Sequence, residues 1–142
     1  MKYYHAPLDL SKLCNTTLPS INIGDSIAQH LMMMICTPMG DLPSLPDFGC
    51  EIWAMQYELF SSSFQWENKV SESLQKVMTK YELRLKNIDV NVRITEMEVS
   101  YKFRKYPDIK KRAIIAINAF LISTNERYTF ETEVFVNPFS SK

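Results

Sequence analysis

Glycine is scarce in this sequence: three in 142 residues, against seven prolines. Neither GxGxxG nor GxxxxGKS/T occurs, so no glycine-rich loop is available to cradle a phosphate. Histidine is scarcer, with only His5 and His30. Ser/His/Asp chemistry would have to draw on one residue near the start and one on a predicted helix, and no GxSxG turn accompanies them. A cysteine nucleophile faces the same shortage of partners. Cys14, Cys36 and Cys50 are odd in number and form no CxxC pair, which leaves no paired spacing for zinc. They read as buried free thiols of a reducing compartment. Neither a metal nor a cofactor is expected.

Long apolar runs are also missing. The longest, Leu31 to Cys36, falls far short of the roughly 20 residues that span a membrane. The opening Met1-Lys2-Tyr3-Tyr4-His5 has no apolar region of signal-peptide type. The expectation is a cytoplasmic protein with no direct membrane insertion. Net charge is zero, but residues 1–60 carry two basic against six acidic side chains, and residues 61–142 fourteen against ten. That imbalance is too mild for a nucleic-acid partner, though the two halves could attract each other or present two different surfaces.

What is present is the composition of a folded domain, 46% hydrophobic and 23% charged. A chain of this length buries roughly two-thirds of its unfolded surface without staples. Residues 1–22 show scattered apolar side chains without a period and are expected to form an N-terminal arm. Residues 23–142 are expected to form a single domain.

The pattern predicts a helix from about Asp25 to Cys36, opened by a Ser26/Gln29 capping box, with Ile27, Leu31, Met34 and Ile35 as its stripe. Met32 and Met33 widen the stripe and place this helix centrally; core packing outweighs the adaptable-surface reading of the methionines. His30 lies on the polar side and has no metal-ligand partner at i+4. Pro38, Gly40, Pro43, Pro46 and Gly49 mark a loop. Within it, Phe48 must either fold back onto the body or dock elsewhere. A second helix is predicted over about Cys50 to Phe60. A third runs from the serines at 61–63 to near Lys80, with Trp66, Val70, Leu74, Val77, Met78 and Tyr81 on one face.

From residue 88 the period becomes two. Ile88, Val90, Val92 and Ile94 alternate with polar partners; Met97, Val99, Tyr101 and Phe103 then take the opposite parity, predicting a bulge near Thr95-Glu96. Arg104 to Arg112 reads as a basic loop. A solvated turn is its first reading, an anionic partner surface its second, and RNA a distant third. A strand over Ala113 to Ile122, apolar on both parities, should be central and covered on both faces. Tyr128 to Val136 alternates as a third strand. The fold class is therefore α+β: two to three N-terminal helices packed on a three-stranded antiparallel β-meander.

Asp41, Asp47, Glu51 and Glu58 are the carboxylates near Trp53 and the flexible loop. Two carboxyls about 5–10 Å apart, one of raised pKa, would suit glycoside cleavage. A chain with sixteen acids offers such a set by chance, so the hydrolase reading is weak. Glu82 and Arg84 stand where the helical period gives way to the alternating one. If the chain extends from Glu82, Tyr81 and Leu83 turn to the core and the pair faces a partner or solvent. On local pattern alone this is a solvated boundary.

Three short motifs in order change that weighting: Thr37-Pro38-Met39-Gly40-Asp41, Pro46-Asp47-Phe48-Gly49, and Tyr81-Glu82-Leu83-Arg84-Leu85 running into an alternating strand. Together they resemble the TssE family of type VI secretion baseplate wedge proteins, kin to baseplate wedge proteins of contractile-tailed phages, across about residues 24–136. The tyrosine-rich arm and Cys50-Glu51-Ile52-Trp53 look like the version found in Bacteroidetes systems. Where the family reads Glu-Pro-Arg, this chain has Glu82-Leu83-Arg84, keeping both charges without the proline. Asp41 stands where the family usually has Glu. The resemblance implies a cytoplasmic structural protein, not an enzyme. Its implied partners are TssF/TssG-type wedge subunits, gripped through Glu82 and Arg84, and TssB/TssC-type sheath subunits, started on its strand edge. Partner-binding residues would be Glu82, Arg84, Tyr81, Asp41, Pro46, Phe48 and Gly49. The competing expectations are a lysozyme-like peptidoglycan hydrolase and a generic β-edge adaptor.

Overall fold

A computed structural model describes residues 1–13, 18–55 and 62–136. Two α-helices lie against one face of a three-stranded antiparallel sheet, and a two-stranded ribbon from the arm sits beside them. The ribbon pairs β1 (Tyr3–Tyr4) with β2 (Ser20–Ile21), and a 3-10 turn at Leu10–Lys12 lies between them.

Helix α1 spans Ile23–Cys36. Its cap is Asn22, whose side chain accepts the Asp25 N–H at 2.7 Å and donates to the Asp25 carboxylate at 2.7 Å, so the helix starts earlier than the Ser26/Gln29 box predicts. Ser26 and Gln29 have other partners: Ser26 accepts from Arg84, and the Gln29 side-chain oxygen accepts the Ala6 N–H of the arm at 2.9 Å. Ile27, Leu31, Met34 and Ile35 are fully buried as the period requires, whereas Met32 and Met33 are exposed and do not join the core, Met32 meeting the Thr132 hydroxyl with its sulfur at 3.6 Å. Cys36 is exposed at the helix end and Cys50 is buried; burial pushes the Cys50 thiol up to about 12, with a Glu51 carboxylate nearby acting the same way. Cys14 lies outside the described residues.

Of the helix predicted over Cys50 to Phe60, the described part is a single 3-10 turn at Glu51–Trp53; residues 56–61 lie outside the description. Helix α2 spans Ser63–Tyr81, capped by Ser62, and buries Trp66, Val70, Leu74, Val77 and Met78. Both indoles are anchored: Trp66 Nε1 donates to the Met55 carbonyl at 2.8 Å, and Trp53 Nε1 to the Ile35 carbonyl at 2.9 Å.

Strands β3 (Leu85–Val99), β4 (Asp108–Leu121) and β5 (Arg127–Phe135) run in the order β3-β4-β5. The basic segment is therefore half strand: Asp108 to Arg112 belong to β4, and the turn is confined to residues 100–107. The register irregularity sits between Lys86 and Asp89, where Asn87 adopts φ 51°; pairing then runs without a break from Asp89↔Asn118 to Val99↔Asp108. No bulge exists at Thr95-Glu96. The apolar parity changes there because the β3–β4 hairpin continues past the core, and Met97 and Val99 lie on the face away from the helices.

Strand β4 is central, with Ala113, Ile115, Ile117 and Ala119 buried on the helix side. Its other face is not covered as its double apolarity predicts: every residue of that parity from Arg112 to Phe120 is half-buried or exposed. The two outer strands differ at their margins. Val136 N–H donates to the Lys111 carbonyl at 2.9 Å, so by the two-residue alternation of an antiparallel ladder the odd-numbered residues of β5 aim N–H and C=O outward. On β3 the even-numbered residues face the margin, and there the Glu67 carboxylate accepts the Ile94 N–H at 2.7 Å. A helix side chain thus blunts one edge, while β5 pairs only with β4 among the described residues.

Because adjacent residues of β4 face opposite ways, Ile115→Ala should cost about 2–5 kcal/mol and Ile114→Ala under about 1 kcal/mol in urea denaturation. Equal losses would contradict the register.

Candidate functional site

The three motifs meet at the exit of α2. Pro38 in the extended loop pairs with Cys50 as an isolated parallel bridge, Cys50 N–H donating to the Thr37 carbonyl at 2.8 Å and Met39 N–H to the Cys50 carbonyl at 3.3 Å. Gly49 makes this approach possible. It sits at φ 126°, and a Cβ there would lie 2.5 Å from the Thr37 oxygen. Phe48 folds back and is buried, with its ring 6.2 Å from His30 in a stacked arrangement and 5.1 Å edge-on from Tyr81. Asp47 pairs with Lys80 and accepts the Tyr81 hydroxyl at 2.5 Å. Asp41 and Pro46 lie on the exposed outer side of the loop.

At the centre is Glu82, which caps α2 through its N–H to the Met78 carbonyl at 2.8 Å and is 1% exposed. Arg84 Nε and one terminal nitrogen each reach a different Glu82 oxygen at 2.7 Å, a two-pronged pair. The Arg84 N–H adds a third contact at 3.2 Å, and His30 Nδ1 lies 2.7 Å from the second oxygen. The remaining Arg84 terminal nitrogen donates to Ser26 Oγ at 2.9 Å, and the Tyr3 ring of the arm lies 5.3 Å from the guanidinium carbon. Burial alone would push the Glu82 carboxyl up; the Arg84 guanidinium and the His30 ring outweigh it and hold the group at about 2. The same contact raises Arg84.

This arrangement inverts the extended-chain expectation. Glu82 turns inward, Leu83 points out at 76% exposure, and Tyr81 is half-buried beside Phe48. The extended conformation begins three residues later, at Leu85, so the i, i+2 rule does not apply at Glu82. His30 was missed as a member of the site. The signal available was its flanking position beside the Ile27–Leu31–Met34 stripe, where a polar side chain sits at the margin of the core.

A cleft of about 370 Å³ lies between α2 and the loop, lined by Asp47, Glu51, Glu72, Lys76 and Lys80 among others. It mixes acids with lysines. Lys80 and Tyr81 hold the Asp47 carboxyl below its ordinary range, the opposite of what a general acid needs. Glu58, the fourth candidate acid, lies outside the described residues.

Residues 22–126 match the family model described as baseplate wedge protein gp25. No curated protein matches the chain. Among solved structures, one is described as a tail lysozyme from Geobacter sulfurreducens: 15% identity, TM-score 0.58, covering 87% of this chain and 100% of that one. Another belongs to the baseplate complex from the type VI secretion system: 15% identity, TM-score 0.56, covering 79% of this chain and 92% of that one. At this identity both likenesses speak to fold.

The Glu82 carboxyl is held below its ordinary 4.5, so its contribution to stability is complete above that pH and lost as pH falls toward about 2. Glu82→Gln should lower stability at neutral pH by about 3 kcal/mol and flatten the acid limb of a stability-versus-pH curve. An unchanged acid limb would show that Glu82 is not held by its partners.

Proposed function

We propose, from the premise that this chain belongs to the baseplate wedge protein gp25 family, that it is a TssE-type part of a type VI secretion baseplate. In this reading it works in the cytoplasm by being built in rather than by turning over substrate. One side is held by TssF/TssG-type wedge subunits and the other starts the TssB/TssC-type sheath. No helix among the described residues is long and apolar enough to cross a membrane.

The observation that carries the sheath half is the margin of β5, which no described element pairs. Arg127, Thr129, Glu131, Glu133 and Phe135 direct backbone N–H and C=O away from β4, a template to which an extended segment of another chain can add. Main-chain pairing would supply affinity, and alternating side chains the register. Glu131→Pro removes one outward N–H without touching the β4 ladder, a position that edge strands tolerate. The variant should fold with a near-wild-type unfolding midpoint and cut the number of assembled sheaths in the host by about tenfold or more. Normal sheath numbers with folded Glu131→Pro would overturn the margin's role.

The wedge half rests on the knot at the α2 exit. Phe48, Gly49 and Glu82 act from inside it as positioning residues. The contact is proposed to be made by the side chains exposed around it, Asp41, Pro46, Leu83 and the exposed part of Arg84, with Tyr81 supporting them. Leu83→Asp should leave stability within about 0.5 kcal/mol and abolish co-purification with the wedge subunits. Retained co-purification would remove these side chains from the interface. A lysozyme-like hydrolase is the competing reading, and the depressed Asp47 carboxyl speaks against it. A generic edge adaptor would share the β5 margin but not the wedge contact.

A further inference from the structure

The β3–β4 hairpin outruns the body that supports it. Ile94 is the last partly buried core-side residue of β3, yet pairing continues through Thr95↔Arg112 to Val99↔Asp108. At the strand rise this extension reaches about 15 Å beyond the core before the turn begins. Its end is unusually apolar for something so exposed. Phe103 is 98% exposed and Tyr106 78%, with Tyr101 and Ile109 also exposed. Met97 and Val99 line the extension on one face.

Cations are interleaved with these side chains. The Arg104 guanidinium carbon lies 5.8 Å and the Lys110 amine 5.6 Å from the Tyr101 ring centre, so two cations rest against that ring. Arg104 also pairs with Asp108 at 2.7 Å. Lys102 and Lys105 make no ion pair among the described residues, and both flank Phe103. Sequence alone hid this pattern: aromatics and bases read as the end of a strand and a separate basic loop, whereas the hairpin closes them into one tip.

The geometry points to this tip as a plug that seats in an acidic, apolar-floored groove of a neighbouring protein subunit. Three features select a protein groove over an anionic bilayer or a nucleic acid. The extension is a two-stranded blade with apolar side chains on both faces, which a groove can contact and a planar surface cannot. It is longer than the 5–10 Å to which interfacial elements sink into a bilayer. It also carries acids behind the tip, Asp108 paired with Arg104, Glu96 with Lys111, and Glu98; they offset part of the basic charge that would draw it to headgroups or phosphates, and a protein wall with its own bases would accept Glu98. The inference rests on family membership and is independent of the β5 margin and of the Leu83 contact.

The test places a photoreactive benzoylphenylalanine at Phe103 in the full-length chain, in its native host. The expected result is a covalent adduct with one protein, identified by mass spectrometry, whose cross-linked peptide lies in an acidic stretch. Adding Lys102→Glu and Lys105→Glu should lower the adduct yield by about tenfold, equal to about 1.4 kcal/mol. The unfolding midpoint should not move, since the tip lies outside the core. No adduct, an adduct unaffected by charge reversal, or an adduct with lipid or nucleic acid would overturn the assignment. So would tip-dependent co-sedimentation with phosphatidylserine–phosphatidylcholine vesicles. Because the Glu131→Pro and Leu83→Asp variants leave the tip intact, its failure and theirs can be told apart.

Discussion

A carboxylate removed from water has to be satisfied where it stands, and Glu82 is satisfied from two parts of the fold, its own elbow and α1. Arg84 follows it in the chain, His30 comes from α1, and Ser26 holds the guanidinium in place. Transferring an ion from water to a low-dielectric site costs several kcal/mol, and only good geometry with further hydrogen bonds offsets that cost. The geometry here is two-pronged, and it constrains its surroundings. The helix must end at Glu82 for the carboxylate to turn inward; α1 must lie alongside for His30 to reach it. Phe48 then fills the space between His30 and Tyr81, and that position requires Gly49 to fold tightly against Thr37. The three motifs are thus one packing unit seen in three places along the chain.

The sheet follows a different constraint. It has one face that two helices cover and one that no described element covers, so its register is set by which side chains need shelter. Past the register shift at Lys86–Asp89 and within the helices' reach, even residues of β3 from Ile88 turn inward; beyond that reach, apolar side chains change face because there is no longer an inside. The margins are treated unequally. Glu67 occupies an N–H on the β3 edge, while the outward groups of β5 lie along a solvent face carrying Arg127, Glu131 and Glu133. Charges on an open strand limit unspecific pairing. An edge that is charged and that no described element pairs fits the selective pairing proposed above.

Much of this was legible in the chain itself. The stripes of α1 and α2, the central position of β4 and the antiparallel order β3-β4-β5 follow from periodicity, because each depends on neighbours a few residues apart. What periodicity missed depends on distant neighbours. His30 and Ser26 lie 52 and 58 residues from their partners at the elbow, and no local pattern reports that they meet. The β1–β2 ribbon joins Tyr3 to Ile21 across a segment with no period. Local chemistry also misled in one place: Ser26 with Gln29 fits a capping box, but Asn22 with Asp25 fits earlier and wins. Lys110, Lys111 and Arg112 concealed the start of β4, since charged side chains on a strand that has left the core look like a loop.

The elbow and the open margin are mechanically one object. Ile122, just past β4, donates its N–H to the Arg84 carbonyl at 2.9 Å, so the β4–β5 turn is tied directly to the elbow. Tyr128, near the start of β5, donates its hydroxyl to the Gly24 carbonyl in the first turn of α1 at 3.0 Å. Its phenol is raised, first by burial and then by the nearby Glu82 charge. Strand β5 is therefore fixed at one end to the helix that supplies His30, and through β4 to the arginine that His30's partner binds. A displacement of the elbow cannot be absorbed by a flexible linker before it reaches the margin; it passes through hydrogen-bonded backbone. The proposed role of joining wedge to sheath would need that stiffness. The burial of Glu82, which withdraws a charge from direct contact with any partner, is what provides it.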